Sequence, residues 1–289
     1  GMGGASFPAH AKMITALDSK VDTLVINGAE CEPYLTTDHR VMLEKTDSLI
    51  YGVKVLMKYL DAEIAYIGIE DDKLDAVEKL EKALEGEDNI KVAVLKAKFP
   101  QGDSYRMIAS VTGRKVPQGG RCKDTASMVS NVGTVVAIAE AVKYKKPLYE
   151  RVITVTGDGV KEPKNLLAKV GTTIGELLEQ CGGFTGEPGK IIVGGPMTGY
   201  TQYSLDTPVI QGTTGIVVLK EESVKREKVS PCIKCAKCLE VCPVHLEPLL
   251  ISANSLKDRF DVAQALNAEA CMNSGGFSYI CPGKRPLTE

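Results

Sequence analysis

Residues 23–69 read TLVINGAECEPYLTTDHRVMLEKTDSLIYGVKVLMKYLDAEIAYIGI, and they decide the fold class. A short apolar strand, Thr23 to Asn27, runs into a polar turn. A helical stretch follows from Asp38 to Tyr59, and a second apolar strand covers Glu63 to Ile69. Downstream, a helix capped near Asp71 places Leu74, Val77, Leu80 and Leu84 on one face. Ile90 to Ala97 alternates as a strand, and Ala126 to Val142 reads as a helix. Upstream lies a glycine-rich opening, Gly1-Met2-Gly3-Gly4-Ala5-Ser6-Phe7-Pro8. Strands alternating with helices predict an α/β layer with a largely parallel sheet over residues 1–148.

Near Pro147 the character changes. From Arg151 to Leu219 strands are short and turns frequent: Gly157-Asp158-Gly159, Gly182-Gly183, Gly194-Gly195-Pro196 and Gly212-Thr213-Thr214-Gly215. One helix opens at Thr173 with Glu176 three residues on, a capping box. Strands wrapped on one helix predict a small β-grasp-like α+β domain over 149–220. The charged stretch Lys220 to Lys228 reads as a linker or a solvated helix. A cysteine-rich domain, 221–289, completes the chain.

The chain has 289 residues, 44% apolar and 25% charged, with 35 Lys and Arg against 37 Asp and Glu. That near-balance leaves no electrostatic footprint for nucleic acid. No run of apolar residues is long enough to span a bilayer, and no signal pattern opens the chain. A cytoplasmic protein is expected, one open to peripheral docking on the cytoplasmic face of a membrane complex. His10, His39 and His245 have no ligand spacing and read as solvated or packed side chains.

Six of the nine cysteines fall between Cys232 and Cys281, a clustering that favours metal ligation over disulfides in a reducing compartment. Cys232, Cys235, Cys238 and Cys242-Pro243 form the C-x2-C-x2-C-x3-C-P run of bacterial ferredoxins, in which the fourth cysteine crosses to a second cluster. The mirror motif in the tail is degenerate. Cys271 and Cys281-Pro282 keep the outer positions, while Ser274 and Phe277 stand where the middle ligands belong. By the crossover rule Cys232, Cys235, Cys238 and Cys281 make one complete ligand set. Cys242 and Cys271 are left as an incomplete second set. One four-iron, four-sulfur (4Fe-4S) cluster is therefore expected. Residual buried thiols, a disulfide, a zinc site and an adventitious cluster all remain open for the remaining pair.

Gly1, Gly3 and Gly4 let backbone N–H groups close on a phosphate or a flat ring, with Lys12 to neutralise the phosphate. After the first strand, Asn27-Gly28-Ala29-Glu30-Cys31-Glu32-Pro33-Tyr34 places an amide and two carboxylates at a strand C-terminus, where open α/β sheets bind ligands. These suit ribose hydroxyls or a nicotinamide. Tight turns and a solvated loop are the plain alternatives.

Together these motifs carry a resemblance. GMGGASFP, NGAECEPY, the FPQGD of Phe99 to Asp103 and the NVGT of Asn131 to Thr134 resemble the C subunit of the Rnf electron-transport complex. They are more distantly similar to the flavin-carrying 51-kDa subunit of respiratory complex I. RVITVTGDGV (151–160), GGPM (194–197) and the Gly212 to Gly215 turn resemble that family's soluble-ligand-binding β-grasp (SLBB) domain. Proline-reductase-associated and cobalamin-reductase-type electron-transfer proteins are close relatives of the same kind. The resemblance implies an FMN-binding α/β domain of the 51-kDa type, the β-grasp domain, and a helical ferredoxin-type domain. It implies noncovalent FMN reduced by NADH, with electrons passing to the cluster and on to other subunits. Carried across, Gly1, Gly3, Gly4, Lys12, Asn27, Gly102, Asn131 and Thr134 contact FMN. Phe7 stacks on the nicotinamide, and Glu30 and Glu32 lie near the NADH ribose or ring.

Three departures from the family accompany the resemblance. It begins at the glycine loop, so the N-terminal domain usual in these Rnf proteins, and a strand leading into the loop, are expected to be missing. Ala29 stands at a position that is acidic in the complex I relatives, and Ser104 where a glutamate often follows the glycine–acid pair. Two other readings stay open: an electron carrier or adaptor with a degenerate flavin site, and a structural zinc scaffold.

Overall fold

The computed structural model describes residues 1–3, 6–224 and 228–288. The chain divides into two compact units, residues 1–224 and 225–289.

The first unit opens with a helix that sequence periodicity did not reveal, α1 (Ala9–Asp18). Four parallel strands follow: β1 (Thr23–Asn27), β2 (Ile64–Glu70), β3 (Ile90–Leu95) and β4 (Ser127–Asn131), in spatial order β3-β2-β1-β4. Crossing between them are α2 (Thr37–Glu44), α3 (Thr46–Leu60), α4 (Leu74–Ala83) and α5 (Ser104–Thr112), and α6 (Val132–Tyr144) leaves β4. A central parallel strand is buried on both faces and reads as an apolar run, which is the character of Leu24-Val25-Ile26. Leu24 and Ile26 point to the core beneath α3, α4 and α6; Val25 points to the opposite core with Met107 and Ile108 of α5.

Three sequence expectations are corrected. The helix over Asp38 to Tyr59 is two helices: Lys45, at φ −124° and ψ 33°, leaves helical geometry, ending α2 and starting α3. The run Ala126 to Val142 is not one helix. Ser127–Asn131 pairs in register with Thr23–Asn27, and only then does α6 begin. Asp71 does not cap α4. Its carboxylate accepts from the Ala97 N–H at 2.8 Å, tying the end of β2 to the chain after β3. Leu74, at the start of α4, is 61% exposed, while Val77, Leu80 and Leu84 do face the core.

The second sheet contains β5 (Glu150–Thr156), β6 (Lys164–Lys169), β7 (Pro188–Val193), β8 (Tyr200–Gln202) and β9 (Gly215–Lys220), ordered β6-β5-β9-β7-β8. It wraps on α7 (Ile174–Gln180), whose Ile174, Leu177 and Leu178 meet Ile153, Val155, Ile216 and Val218 in one core. The capping box stands as expected: Thr173 Oγ1 accepts from the Glu176 N–H, and the Glu176 carboxylate accepts from the Thr173 N–H.

The two sheets clasp the segment after β1. Leu35 is buried with Ile192 and Val217. The Thr36 N–H donates to Thr154 Oγ1 at 3.0 Å, and Thr37 Oγ1 donates to the Thr214 carbonyl at 2.9 Å. The segment after β1 is thus held from both sides.

Among its described residues the second unit has four short α-helices, α8 (Lys237–Glu240), α9 (Pro248–Ser255), α10 (Phe260–Ala265) and α11 (Gly276–Ile280), and a 3-10 turn at Ala268–Ala270. Cys242, Leu246 and Phe277 form its buried core, with Cys238, Cys271, Ile251 and Leu287 packed around them.

Candidate functional site

The chain runs from β1 outward through β2 to β3, then returns past β1 to β4. The strand order thus reverses between β1 and β4: β1 connects outward to β2, whereas β4 is reached by a crossover from β3. This is the switch point at which open α/β sheets leave a crevice beyond the strand ends. The paired residues at those ends are Asn27 and Asn131.

Each asparagine is fixed by its own hydrogen bonds. Asn27 Nδ2 donates to the Gly102 carbonyl at 2.7 Å, and its Oδ1 accepts from the Ala29 N–H at 3.2 Å. Asn131 is the N-cap of α6. Its Oδ1 accepts from the Gly133 and Thr134 N–H groups, and its Nδ2 donates to Asp38 at 2.6 Å. Gly102 lies in the FPQGD stretch, whose Asp103 caps α5 by accepting from the Tyr105 and Arg106 N–H groups. The Gly102 N–H in turn donates to Cys31 Sγ at 3.3 Å, and burial pushes the Cys31 thiol up to about 11.

The glycine loop lies against this edge. The Met2 N–H donates to Thr134 Oγ1 at 3.0 Å. A Cβ on Gly3 would sit 2.9 Å from Asn131 Cγ, so a side chain there would displace the cap. Gly4 falls outside the described residues. Phe7 is 57% exposed beside the loop.

Among the described residues, two cations reach the crevice without a carboxylate partner in hydrogen-bond range. Lys12 Nζ donates to the Val129 carbonyl at 2.9 Å, and burial lowers its pKa. Arg151, from β5, donates to the carbonyls of Met2 (2.9 Å) and Gln211, and burial lowers its pKa to about 10.

Both predicted carboxylates are engaged. Glu30 adopts φ +48°, the left-handed region that L residues rarely occupy. There its oxygens accept from the Asp38 and His39 N–H groups at the start of α2, at 2.7 and 2.9 Å. A carboxylate at a helix N-terminus is favoured by the orphan donors and the dipole. Burial, with Asp38 adding to it, nonetheless pushes Glu30 up to about 8. Glu32 reaches the second sheet instead, accepting from Met197 N–H (3.0 Å), Thr198 N–H (2.8 Å) and Thr198 Oγ1.

In the second unit, Cys232, Cys235, Cys238 and Cys281 line a single pocket, together with Ile233, Lys234, Leu249 and Arg285. Cys232 and Cys235 are exposed, and Cys238 and Cys281 are half-buried. Among the described residues, no three His, Cys, Asp or Glu side chains are placed to hold a single metal ion. Thiols are the donor type that iron–sulfur clusters take, and these four share one pocket wall. Cys242 lies apart, its sulfur accepting from the Leu246 N–H at 3.2 Å inside the core that Phe277 fills.

This arrangement has recognisable relatives. Residues 1–140 match the Nuo51 FMN-binding domain, and residues 152–201 the SLBB domain. Over 264 residues, 91% of this chain, it is 47% identical to the C subunit of the proton-translocating ferredoxin:NAD(+) oxidoreductase complex of Clostridium ljungdahlii. The Na(+)-translocating counterpart from Acetobacterium woodii is 46% identical over 93% of the chain. The chain is similar to these C subunits over most of its length.

It spans 58% and 60% of those two proteins' lengths. Of the corresponding protein in the ion-translocating oxidoreductase complex of Rhodobacter capsulatus, 36% identical over 88% of this chain, it spans 49%. The fold is that of a chain in an NAD+-reducing NiFe hydrogenase crystal structure, with a TM-score of 0.64 at 20% identity over 76% of this chain and 44% of that one.

Two residues at the crevice escaped the sequence reading. Asp38 read only as the start of a helix, yet it is half-buried, its carboxylate accepting from Asn131 and its N–H donating to the Glu30 cap. Arg151 opens a strand nearly 150 residues after Met2, and no local pattern connects them.

Proposed function

We propose that this chain moves electrons from NADH through FMN to one 4Fe-4S cluster and on to a partner, as a subunit of an Rnf-type complex. The observation that carries the reading is the crevice between β1 and β4. It joins a glycine loop, two strand-end asparagines and two cations, Arg151 buried and Lys12 half-buried, whose hydrogen bonds go to backbone carbonyls. Cations in that state suit an anion such as the FMN phosphate, so the residues fit the group.

When bound, FMN would supply the chemistry that converts the two-electron donor NADH to single-electron transfer. Around it, Gly1, Gly3 and Gly4 bring backbone N–H groups close, with Lys12 as counter-charge. Asn27, Gly102, Asn131 and Thr134 shape the strand-end wall. Phe7, exposed beside the loop, offers a stacking face for the nicotinamide, and Glu30 and Glu32 frame the approach of the NADH ribose. Residues 1–148, 149–220 and 221–289 divide the work into flavin site, β-grasp brace and cluster carrier.

Cys232, Cys235, Cys238 and Cys281 would hold the cluster. A second is not expected, because Phe277 packs into the core beside Cys242 and Cys271. Any membrane association would come through partner subunits in this reading; among the described residues no helix is long and apolar enough to cross a bilayer.

The test is anaerobic reconstitution with FMN, iron and sulfide, followed by NADH. Flavin absorbance that bleaches on NADH addition, with about four irons and four sulfides per chain, is the expected result. No flavin uptake would leave a bare electron carrier, and zinc without sulfide would leave a scaffold.

A further inference from the structure

Met2 is held at both of its backbone polar groups. Its N–H is taken by Thr134 Oγ1, at the start of α6. Its carbonyl is taken by Arg151 Nη1 at 2.9 Å, and the same nitrogen donates to the Gln211 carbonyl. Arg151 is 3% exposed. It stands on the first strand of the β-grasp sheet, while Gln211 belongs to the turn leading into β9 of that sheet. Among the described residues the guanidinium forms no ion pair; Asp38 and Glu30 are the carboxylates close enough to act on it through space. A charge this buried is costly unless its surroundings use it. Here it ties together two carbonyls from distant parts of the chain, one of them in the glycine loop.

We infer that Arg151 is a positioning residue of the flavin site: from the β-grasp sheet it locks the Met2 carbonyl, setting the glycine loop to receive a phosphate-bearing ligand. This inference rests on the FMN reading of the crevice. The β-grasp segment is then part of the cofactor site, contributing a fixed buried cation and one wall of the loop, rather than a separate binding module. Nη1 makes both of these bonds while Nε donates to the Val152 carbonyl at 3.3 Å, so the guanidinium holds carbonyls through two nitrogens, whereas an ammonium keeps the charge on one nitrogen and loses part of that set.

The experiment uses the full chain and titrates FMN by quenching of its fluorescence, comparing wild type, R151M and R151K, with amide hydrogen exchange over residues 1–7. R151M is expected to weaken FMN binding tenfold or more and to speed exchange in the loop. R151K, keeping the charge and one bond, is expected to recover part of the loss. A folded R151M that binds FMN within twofold of wild type overturns the inference. If R151M does not fold, R151K decides: FMN affinity and loop exchange both unchanged from wild type overturn it, and a loosened loop with weaker binding at an unchanged melting temperature sustains it. Wild-type protein that takes up no FMN refutes the flavin reading instead; loop exchange that is faster in R151K still sustains the positioning role, and unchanged exchange ends it.

Discussion

Glu30 caps the helix that carries Asp38, accepting the Asp38 N–H at 2.7 Å while the Asp38 carboxylate turns the other way to Asn131. Both acids are held above their ordinary range, Glu30 at about 8 and Asp38 at about 6, with burial the largest cause in each. The Asp38 charge pushes Glu30 further in the same direction. Arg151 and Lys73 pull Asp38 back down, and Lys73 does the same to Glu30.

The pH dependence follows from that pair. Between the ordinary Glu value of 4.5 and about 8, the folded state holds a proton on Glu30 that the unfolded chain has lost. Stability therefore falls as pH rises through this window. Glu30→Gln removes the titration but offers one acceptor oxygen to two N–H donors, so it lowers stability by about 1–3 kcal/mol at acid pH. Urea midpoints measured at several pH values are expected to fall less steeply for E30Q than for wild type. Parallel profiles would mean that Glu30 does not titrate in this range.

Gly52 lies where α3 crosses α6. A Cβ there would meet the Val135 carbonyl and sit 2.8 Å from Val135 Cγ1. In an exposed helix, Gly→Ala stabilises by about 1 kcal/mol. Here overpacking outweighs propensity, and G52A is expected to destabilise by about 1–3 kcal/mol. Chemical denaturation measures it, and a stabilised variant would show that the two helices separate without cost.

The cysteines separate into two kinds. C281A is expected to abolish stable cluster assembly, whereas C242A leaves about four irons per chain after reconstitution. Phe277→Ala, by contrast, empties the core around Cys242 and costs about 3–5 kcal/mol. Iron and sulfide analysis beside thermal melts of the three variants checks this. About eight irons in wild type would contradict the single ligand set.

Phe7 is exposed beside the glycine loop. Phe7→Ala should change stability by no more than about 0.5 kcal/mol. If the ring stacks on the nicotinamide, NADH binding to the FMN-loaded protein weakens by about 2- to 10-fold, with FMN affinity unchanged. Equal NADH affinity in the two proteins would remove Phe7 from the site.

The residues that carry ligand spacing and caps were readable because their patterns are local. Three cysteines within seven residues, the Thr173 and Glu176 box, and an apolar strand ending in Asn27 each declare themselves over a few positions. The helix boundaries were less readable. Ser127–Asn131 looked helical because its apolar residues continue smoothly into α6, and only pairing with β1 makes it a strand. The glycine-rich opening hid α1, whose lone fully packed residue is Ala16.

The chain's own residue order determined that it alternates strand with helix, that one ferredoxin-like set of cysteines keeps its full spacing, and that Phe277 stands where a ligand belongs. Those are statements about which side chains exist and how near they lie along the backbone. Tertiary structure alone decided that Arg151 meets Met2, that Glu32 is spent on Thr198, and that the Glu30 carboxylate caps the helix carrying Asp38. Each joins segments brought together only when the sheets pack. The energy that fixes such a pair is the cost of burying a polar group without its partner, and no residue carries that cost until the chain has closed around it.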